Sequence, residues 1–431
     1  MSYLKKLNIV APALLASTAI FSHHSFAQDS AETSAIEPEQ QPVPKEQSDK
    51  IGWGPFTVGG AIRANFVIGS YDTDTPAPSR GGQGGDIDLD VFRINVDFKQ
   101  GDWLGKFEYR WYNGYNLLHT GWVGYQIDDN QQVRAGVTRV PFGPGPYGVS
   151  QSWFFDQHYY VGLADDQDTG FVYASEWGNW LIDVGYFISS EGNWRGDSAD
   201  SARYSYDAVR WTSTVDENGT VTEGPINGYE ERNQLNLRAI YQFSNDTSST
   251  DLGFSLQAGQ LKGTRADDGN HWAASVHMVN TIDKWLISTQ LTRYQFNIDA
   301  NNPWGTDELI PMGAFDFAWT VASNGWIPAM SVSYTIDTPF IRWLDYILPY
   351  IEYSSIIKDD QSFNDSQLIT IGAAWASGGW YIYSDVGISD GNYFVGNDGD
   401  NYNNIDGIGG FGANGNDEWN YRFNINFGYY F

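Results

Sequence analysis

Five arginines and a handful of acids carry the chemistry this chain could perform. Arg63, Arg93, Arg110, Arg134 and Arg238 each sit on the polar phase of a segment whose neighbours alternate polar and apolar. Asp97, Glu108, Asp183 and Asp316 occupy similar places. Fixed charges of both signs on one wet surface sort ions and polar solutes, and the same pairs also brace a wall. A second set lies in 141–169, PFGPGPYGVSQSWFFDQHYYVGLADDQDT. It joins Asp156, Asp165, Asp166 and Asp168 to the rings of Trp153, Phe154, Phe155, Tyr159 and Tyr160. Aromatic faces stack on sugar rings, so the segment offers charge and stacking together. Catalysis is poorly served. Beyond the first 27 residues only His119, His158, His271 and His277 remain, and no G-x-S-x-G elbow occurs. His271 and His277 share a phase but lie about 20 Å apart along a strand. With no cysteine there is no thiolate ligand or nucleophile.

Alternation of period two positions these residues. Successive side chains of a strand point to opposite faces. In YRFNINFGYYF, at the end of the chain, Tyr421, Phe423, Ile425, Phe427, Tyr429 and Phe431 share one phase, and Arg422, Asn424 and Asn426 the other. An aromatic last residue with apolar residues two, four and six places earlier resembles the final strand of bacterial outer-membrane barrels. In those barrels the C-terminal aromatic, here Phe431, is read by the assembly machinery. A soluble β-sandwich or β-helix would also alternate. Sandwich strands, however, are shorter, and no fixed repeat of solenoid length is visible.

Seventeen segments alternate: near 55–69, 86–99, 103–112, 121–127, 132–140, 170–177, 180–189, 233–243, 251–261, 271–281, 284–298, 314–322, 328–336, 345–356, 367–376, 380–389 and 418–431. Bacterial barrels have an even strand number, so the expectation is an all-β transmembrane antiparallel barrel of about 16 strands, with 18 as the alternative. At 86–99 the phase slips by one residue around Val91-Phe92, as at a β-bulge. Charges facing hydrocarbon cost a few kcal/mol each at mid-depth, so the polar phase, with its arginines, should line a lumen. A barrel this wide leaves a water path.

Composition agrees. Aromatics make up 16% and glycines number 47, yet mean hydropathy is negative, as expected when half of each spanning strand faces water. At the N-terminus, Lys5 and Lys6 precede an apolar stretch from Ile9 to Phe21, and Ser25-Phe26-Ala27 offers a cleavage site. The stretch is too short to span a bilayer and reads as an export signal, residues 1–27. Residues 28–50, rich in Glu, Gln, Ser and Pro, read as a disordered periplasmic lead, leaving 51–431 for the barrel. Without the signal the formal charge moves from -29 to about -31. Such a surface disfavours nucleic acid and gathers cations at the mouth. Asp86, Asp88 and Asp90 are explained by alternation, and Asp398-Gly399-Asp400 by a solvated loop. No stretch matches the twelve-residue calcium loop, so neither a metal site nor a cofactor is read.

The runs RAGVTRVPFGPGPYGVS and YYVGLADDQDTGFVYA resemble the phosphate-selective porin O/P-like family, whose members carry Pro-Phe-Gly where an early strand leads into an inward loop. The resemblance covers mostly 130–175, the overall layout and the last strand. It implies a porin whose loop 141–169 constricts the lumen, and a possible homotrimer. The family's anion pocket uses basic residues in that loop; this chain has no Lys or Arg between Val140 and Asp168. The expected function is a channel for passive diffusion of small hydrophilic solutes or ions. A carbohydrate-selective channel using the aromatics is the alternative within that class, and a non-conducting structural or adhesin barrel the alternative outside it.

Overall fold

Sixteen antiparallel strands close on themselves. The computed structural model describes residues 51–70, 85–198, 200–210, 213–215, 221–223, 228–302, 305–392, 394–395 and 419–431. The export signal, the lead at 28–50 and Asp398-Gly399-Asp400 lie outside the described residues. Among those described, the spanning strands are β1 Phe56–Gly69, β2 Asp86–Gln100, β3 Trp103–Trp111, β4 Asn116–Asp128, β5 Gln131–Arg139, β6 Gln167–Trp177, β7 Trp180–Ser190 and β8 Tyr229–Ser244. They continue as β9 Ser248–Gly263, β10 Gly269–Ile282, β11 Trp285–Asn297, β12 Asn324–Tyr334, β13 Tyr346–Lys358, β14 Ser366–Ser377, β15 Trp380–Asp390 and β16 Trp419–Tyr430. Each pairs with its neighbours in sequence, and β1 pairs with β16 from Ala61↔Tyr430 to Gly69↔Arg422. Phe431 completes the seam: its N–H donates to the Gly60 carbonyl at 3.0 Å, and its carbonyl accepts from the Gly60 N–H at 2.8 Å. Closure removes the unpaired edges that hydrocarbon would not tolerate.

The alternation becomes two surfaces. Ile62, Phe107, Val184, Leu256, Val276, Met330, Ile351 and Ile371 are exposed on the outside. Asn65, Glu108, Asp183, Asn236, Gln257, Ser275, Ser331, Thr370 and Asn424 are buried within. Two-residue turns sit at one end of the barrel, where Gly101, Gly178 and Gly378 take φ of 59°, 62° and 54°. Glycine at the first turn position suits the primed hairpin whose twist matches the strands. Longer connections gather at the other end.

The seventeenth candidate, 314–322, does not span. Phe317–Ala322 pairs with Leu309–Ala314, which pairs with Asp207–Ala208, in a separate three-stranded sheet. Leu309 to Ala314 are all buried, so this hairpin presents no lipid face. It packs among the long connections: the Trp319 and Tyr206 rings lie 4.5 Å apart. Asp316 is therefore not a wall acid. It sits in the hairpin's turn and accepts the Asp197 and Ser198 N–H groups, each at 2.7 Å. Ile51–Trp53 and Ile336–Asp337 also join the main sheet, beside β1 and β13, but are too short to cross.

Two bulges shape the lumen. Between β1 and β2 the register jumps from Arg63↔Val91 to Ala64↔Leu89, leaving Asp90 unopposed. Between β3 and β4 it jumps from Glu108↔Thr120 to Tyr109↔Leu118, leaving His119 unopposed. A bulge re-aims side chains, and both extra residues turn toward the same arginine cluster.

Candidate functional site

Neighbouring strands β1, β2 and β3 bring three of the five arginines together. Arg93 and Arg110 stand directly opposite each other, an arrangement that repels unless a counter-charge intervenes. Glu108 supplies it. Arg110 donates to Glu108 through Nε and Nη2, each at 2.6 Å, and Arg93 Nη1 approaches the same oxygen at 3.3 Å. Arg63 Nε reaches bulged Asp90 at 2.9 Å. Three guanidiniums against two carboxylates leave an excess positive charge. The side chains of Arg63 and Arg93 are 21% and 20% exposed, against 9% for Arg110, so these two face the lumen water. Tyrosine rings support the cluster: Arg93 lies over Tyr430 and Arg110 over Tyr204, at 5.2 and 4.5 Å. His119 Nδ1 stands 3.6 Å from Glu108.

The other two arginines stand apart. Arg134 on β5 lies over the Trp122 ring at 5.8 Å. Arg238 on β8 forms a two-pronged pair with Asp183 on β7, at 2.8 and 2.7 Å, with both side chains almost fully buried. Removing one partner of a buried pair leaves the other charge without compensation. Asp183→Ala is expected to destabilise the barrel by about 3 kcal/mol, while Asp183→Ala with Arg238→Ala recovers most of that loss. Urea unfolding followed by tryptophan fluorescence measures both, and equal stability for the two variants would remove the pair from the account.

The connection from β5 to β6 lies across the inside of the barrel. Its backbone and side chains bond to polar-phase residues of distant strands. Gly143 N–H donates to Ser255 Oγ on β9 at 3.0 Å, and His158 Nε2 meets Thr292 Oγ1 on β11 at 2.8 Å. Gln157 N–H donates to Ser354 Oγ on β13 at 3.0 Å, and Trp153 N–H to Asp385 on β15 at 3.0 Å. Glu352 on β13 accepts from Ser150 Oγ at 2.8 Å and from the Gln151 N–H. Charge-assisted bonds of this kind are the stronger ones. The excursion returns on itself, since Asp165 N–H donates to the Pro146 carbonyl at 2.7 Å.

The four acids of this segment take different roles. Asp156 braces the segment itself, accepting the Val149 N–H at 2.7 Å and the His158 N–H at 2.8 Å. Gly148, at φ 63°, passes so close to Asp156 that a side chain there would collide with the carboxylate. Asp165 pairs with Arg139 at 3.0 Å and accepts from the Tyr204 hydroxyl at 2.6 Å. Asp166 and Asp168 gather with Asp207 instead. The rings also divide. Phe154, Tyr159 and Tyr160 are buried in an apolar cluster with Tyr206, Met312 and Trp319. Trp153 and Phe155 stay half-buried, and Arg422 lies 4.8 Å from the centre of the Trp153 ring.

One hydrogen-bond chain, Asp156–His158–Thr292, has the acid–imidazole–hydroxyl order of an acyl-transfer triad, with 2.8 Å at each link. His158 and Thr292 are each 0% exposed. A substrate carbonyl therefore has no approach to the hydroxyl, and the chain serves to pin the segment to β11.

Sequence reasoning missed several lumen residues. Arg139 meets Asp165 at the end of the inward segment, and Arg422, placed on the polar phase but not counted among the site charges, lies over the Trp153 ring. Tyr346, Leu348, Tyr350, Tyr381 and Tyr383 cluster on β13 to β15, with Trp153 and Tyr430 packed against them. Tyrosine on the polar phase was the available signal, because a lipid-facing strand places its rings on the other phase.

Solved structures share this architecture. The trimer form of OmpT, an outer membrane protein of Vibrio cholerae, aligns with a TM-score of 0.52 and 16% identity, covering 87% of this chain and 99% of that one. The outer membrane channel DcaP of Acinetobacter baumannii aligns at 0.50 and 12%, covering 87% and 97%. An anion-selective porin from Comamonas acidovorans aligns at 0.50 and 10%, covering 87% and 99%. At these identities the likeness is one of fold. No family model matches the chain, and no curated protein does.

Proposed function

We propose that this chain is an outer-membrane porin that passes small hydrophilic solutes or ions by diffusion. One observation carries the reading: a segment is bonded across the lumen to β9, β11, β13 and β15, while the side chains of Arg63 and Arg93 on β1 and β2 stay 21% and 20% exposed. A purely structural barrel has no use for water-facing charges of one sign in a lumen that such a segment crosses. In this reading the segment is the constriction, with Arg63 and Arg93 as the water-facing selectivity charges, Glu108 and Asp90 setting their balance, and Arg110 and Arg134 behind them. Export follows cleavage near Ala27, Phe431 engages the assembly machinery, and the barrels associate as homotrimers in the outer membrane of a Gram-negative bacterium. The two structural neighbours described as a channel and a porin, and the one solved as a trimer, support this. In this reading the barrel acts as a channel and not as an enzyme.

A second reading is favoured by the lumen tyrosines. Trp153, Phe155, Tyr346 and Tyr430 are rings near the path that are not fully buried, and such rings select carbohydrates by stacking. Recording ion current across a planar bilayer, with and without added maltooligosaccharide, tests both. Current steps without sugar block support the general porin, concentration-dependent block supports the carbohydrate channel, and no current removes both.

A further inference from the structure

Five carboxylates converge where the inward segment meets the wall, and they are poorly neutralised. Asp166 ends the segment, Asp168 lies near the start of β6, Asp207 on the short strand paired with Leu309–Ala314, Glu231 near the start of β8, and Glu191 follows β7. All five are at most 5% exposed. Ligand oxygens of Asp166, Asp168 and Asp207 all lie within 4.8 Å of one another. Arg203 pairs with Asp207 at 3.2 Å, but it is shared with Asp200 at 3.1 Å. A second observation points to a ligand. Asp166 Oδ1 and Asp168 Oδ1 are buried and accept no hydrogen bond, whereas Glu191 accepts the Tyr204 and Ser205 N–H groups. Oε1 of Gln234, which is 1% exposed and whose Nε2 donates to Asp168 at 3.3 Å, also accepts none. Unpartnered buried oxygens of this number are costly.

We infer that Asp166, Asp168 and Asp207 bind a divalent cation, of which Ca²⁺ is the best fit. Hard oxygen donors exclude the soft metals. Calcium–oxygen distances of about 2.3–2.6 Å place two ligands on one ion up to about 5 Å apart, which accommodates this spread. Mg²⁺, with ligands at about 2.0–2.1 Å, places two of them at most about 4.2 Å apart and usually retains several waters. The ion would staple the inward segment, the connection after β7 and the wall strands β6 and β8 at one point, whether or not the lumen conducts.

The test uses the full chain folded in detergent and stripped with EDTA. Equilibrium dialysis against radiolabelled Ca²⁺ in excess Mg²⁺ should find one saturable Ca²⁺ per chain, lost in Asp168→Asn. The unaltered protein, which needs no variant to fold, should melt about 3–6 °C lower in EDTA than in millimolar Ca²⁺. No saturable binding, binding unchanged in Asp168→Asn, or a melting temperature indifferent to Ca²⁺ would each overturn the site.

Discussion

Replacing residues 147–164 by two glycines should raise single-channel conductance on the order of threefold, because a lumen of sixteen strands is wide once nothing lies across it. The substitution is structurally economical. Pro146 and Asp165 already touch through a backbone hydrogen bond, so a short linker joins the ends without moving β5 or β6. Arg139–Asp165 and the acids at 166 and 168 remain in place. The variant gives up the apolar contacts of Phe154, Tyr159 and Tyr160 with Tyr206 and Trp319, so some stability goes with them. Bilayer recording at fixed salt reads the result. Unchanged conductance would show that the segment does not limit flow, and the limit would then lie with the three-stranded sheet formed by Asp207–Ala208 and Leu309–Ala322.

Neutralising the two water-facing arginines, Arg63→Ala with Arg93→Ala, should move the reversal potential in a salt gradient toward the cation side. A perfectly cation-selective pore would reach a limit of about 59 mV per tenfold gradient. These two are chosen because the acids they leave keep another donor. Glu108 retains Arg110 at 2.6 Å, and Asp90 retains Asn426 Nδ2 at 2.9 Å, so the barrel keeps its wall while the lumen loses two positive charges. Arg110 and Arg134, more deeply covered, should shift the potential less. The effect should fade as salt rises, since screening shortens to about 10 Å at 0.1 M and about 3 Å at 1 M. An unmoved potential at low salt would take the arginines out of the filter.

The sequence carries the barrel because water and lipid meet along every strand, and that boundary is written as alternation. It misleads at 314–322, where Phe315, Trp319 and Val321 alternate just as well. Apolar residues facing other protein and apolar residues facing lipid look alike in one dimension. The interior hairpin differs only in having no polar phase against water. The segment after β5 was readable from its prolines and glycines, but its anchors were not. Glu352, Asp385 and Thr292 lie more than a hundred residues from the groups they hold. The arginine cluster was half readable: polar phase placed Arg63, Arg93 and Arg110 on one surface. The bulge that brings Asp90 to them shows in the sequence as the phase slip within 86–99, whereas the one that brings His119 follows from a backbone register that no local pattern specifies.

Single-channel recording of the purified full chain tests the central claim most directly. Discrete, ohmic current steps that enlarge when 147–164 is removed are the predicted result. A barrel that folds and inserts but stays electrically silent, with that segment present and with it removed, would contradict the account.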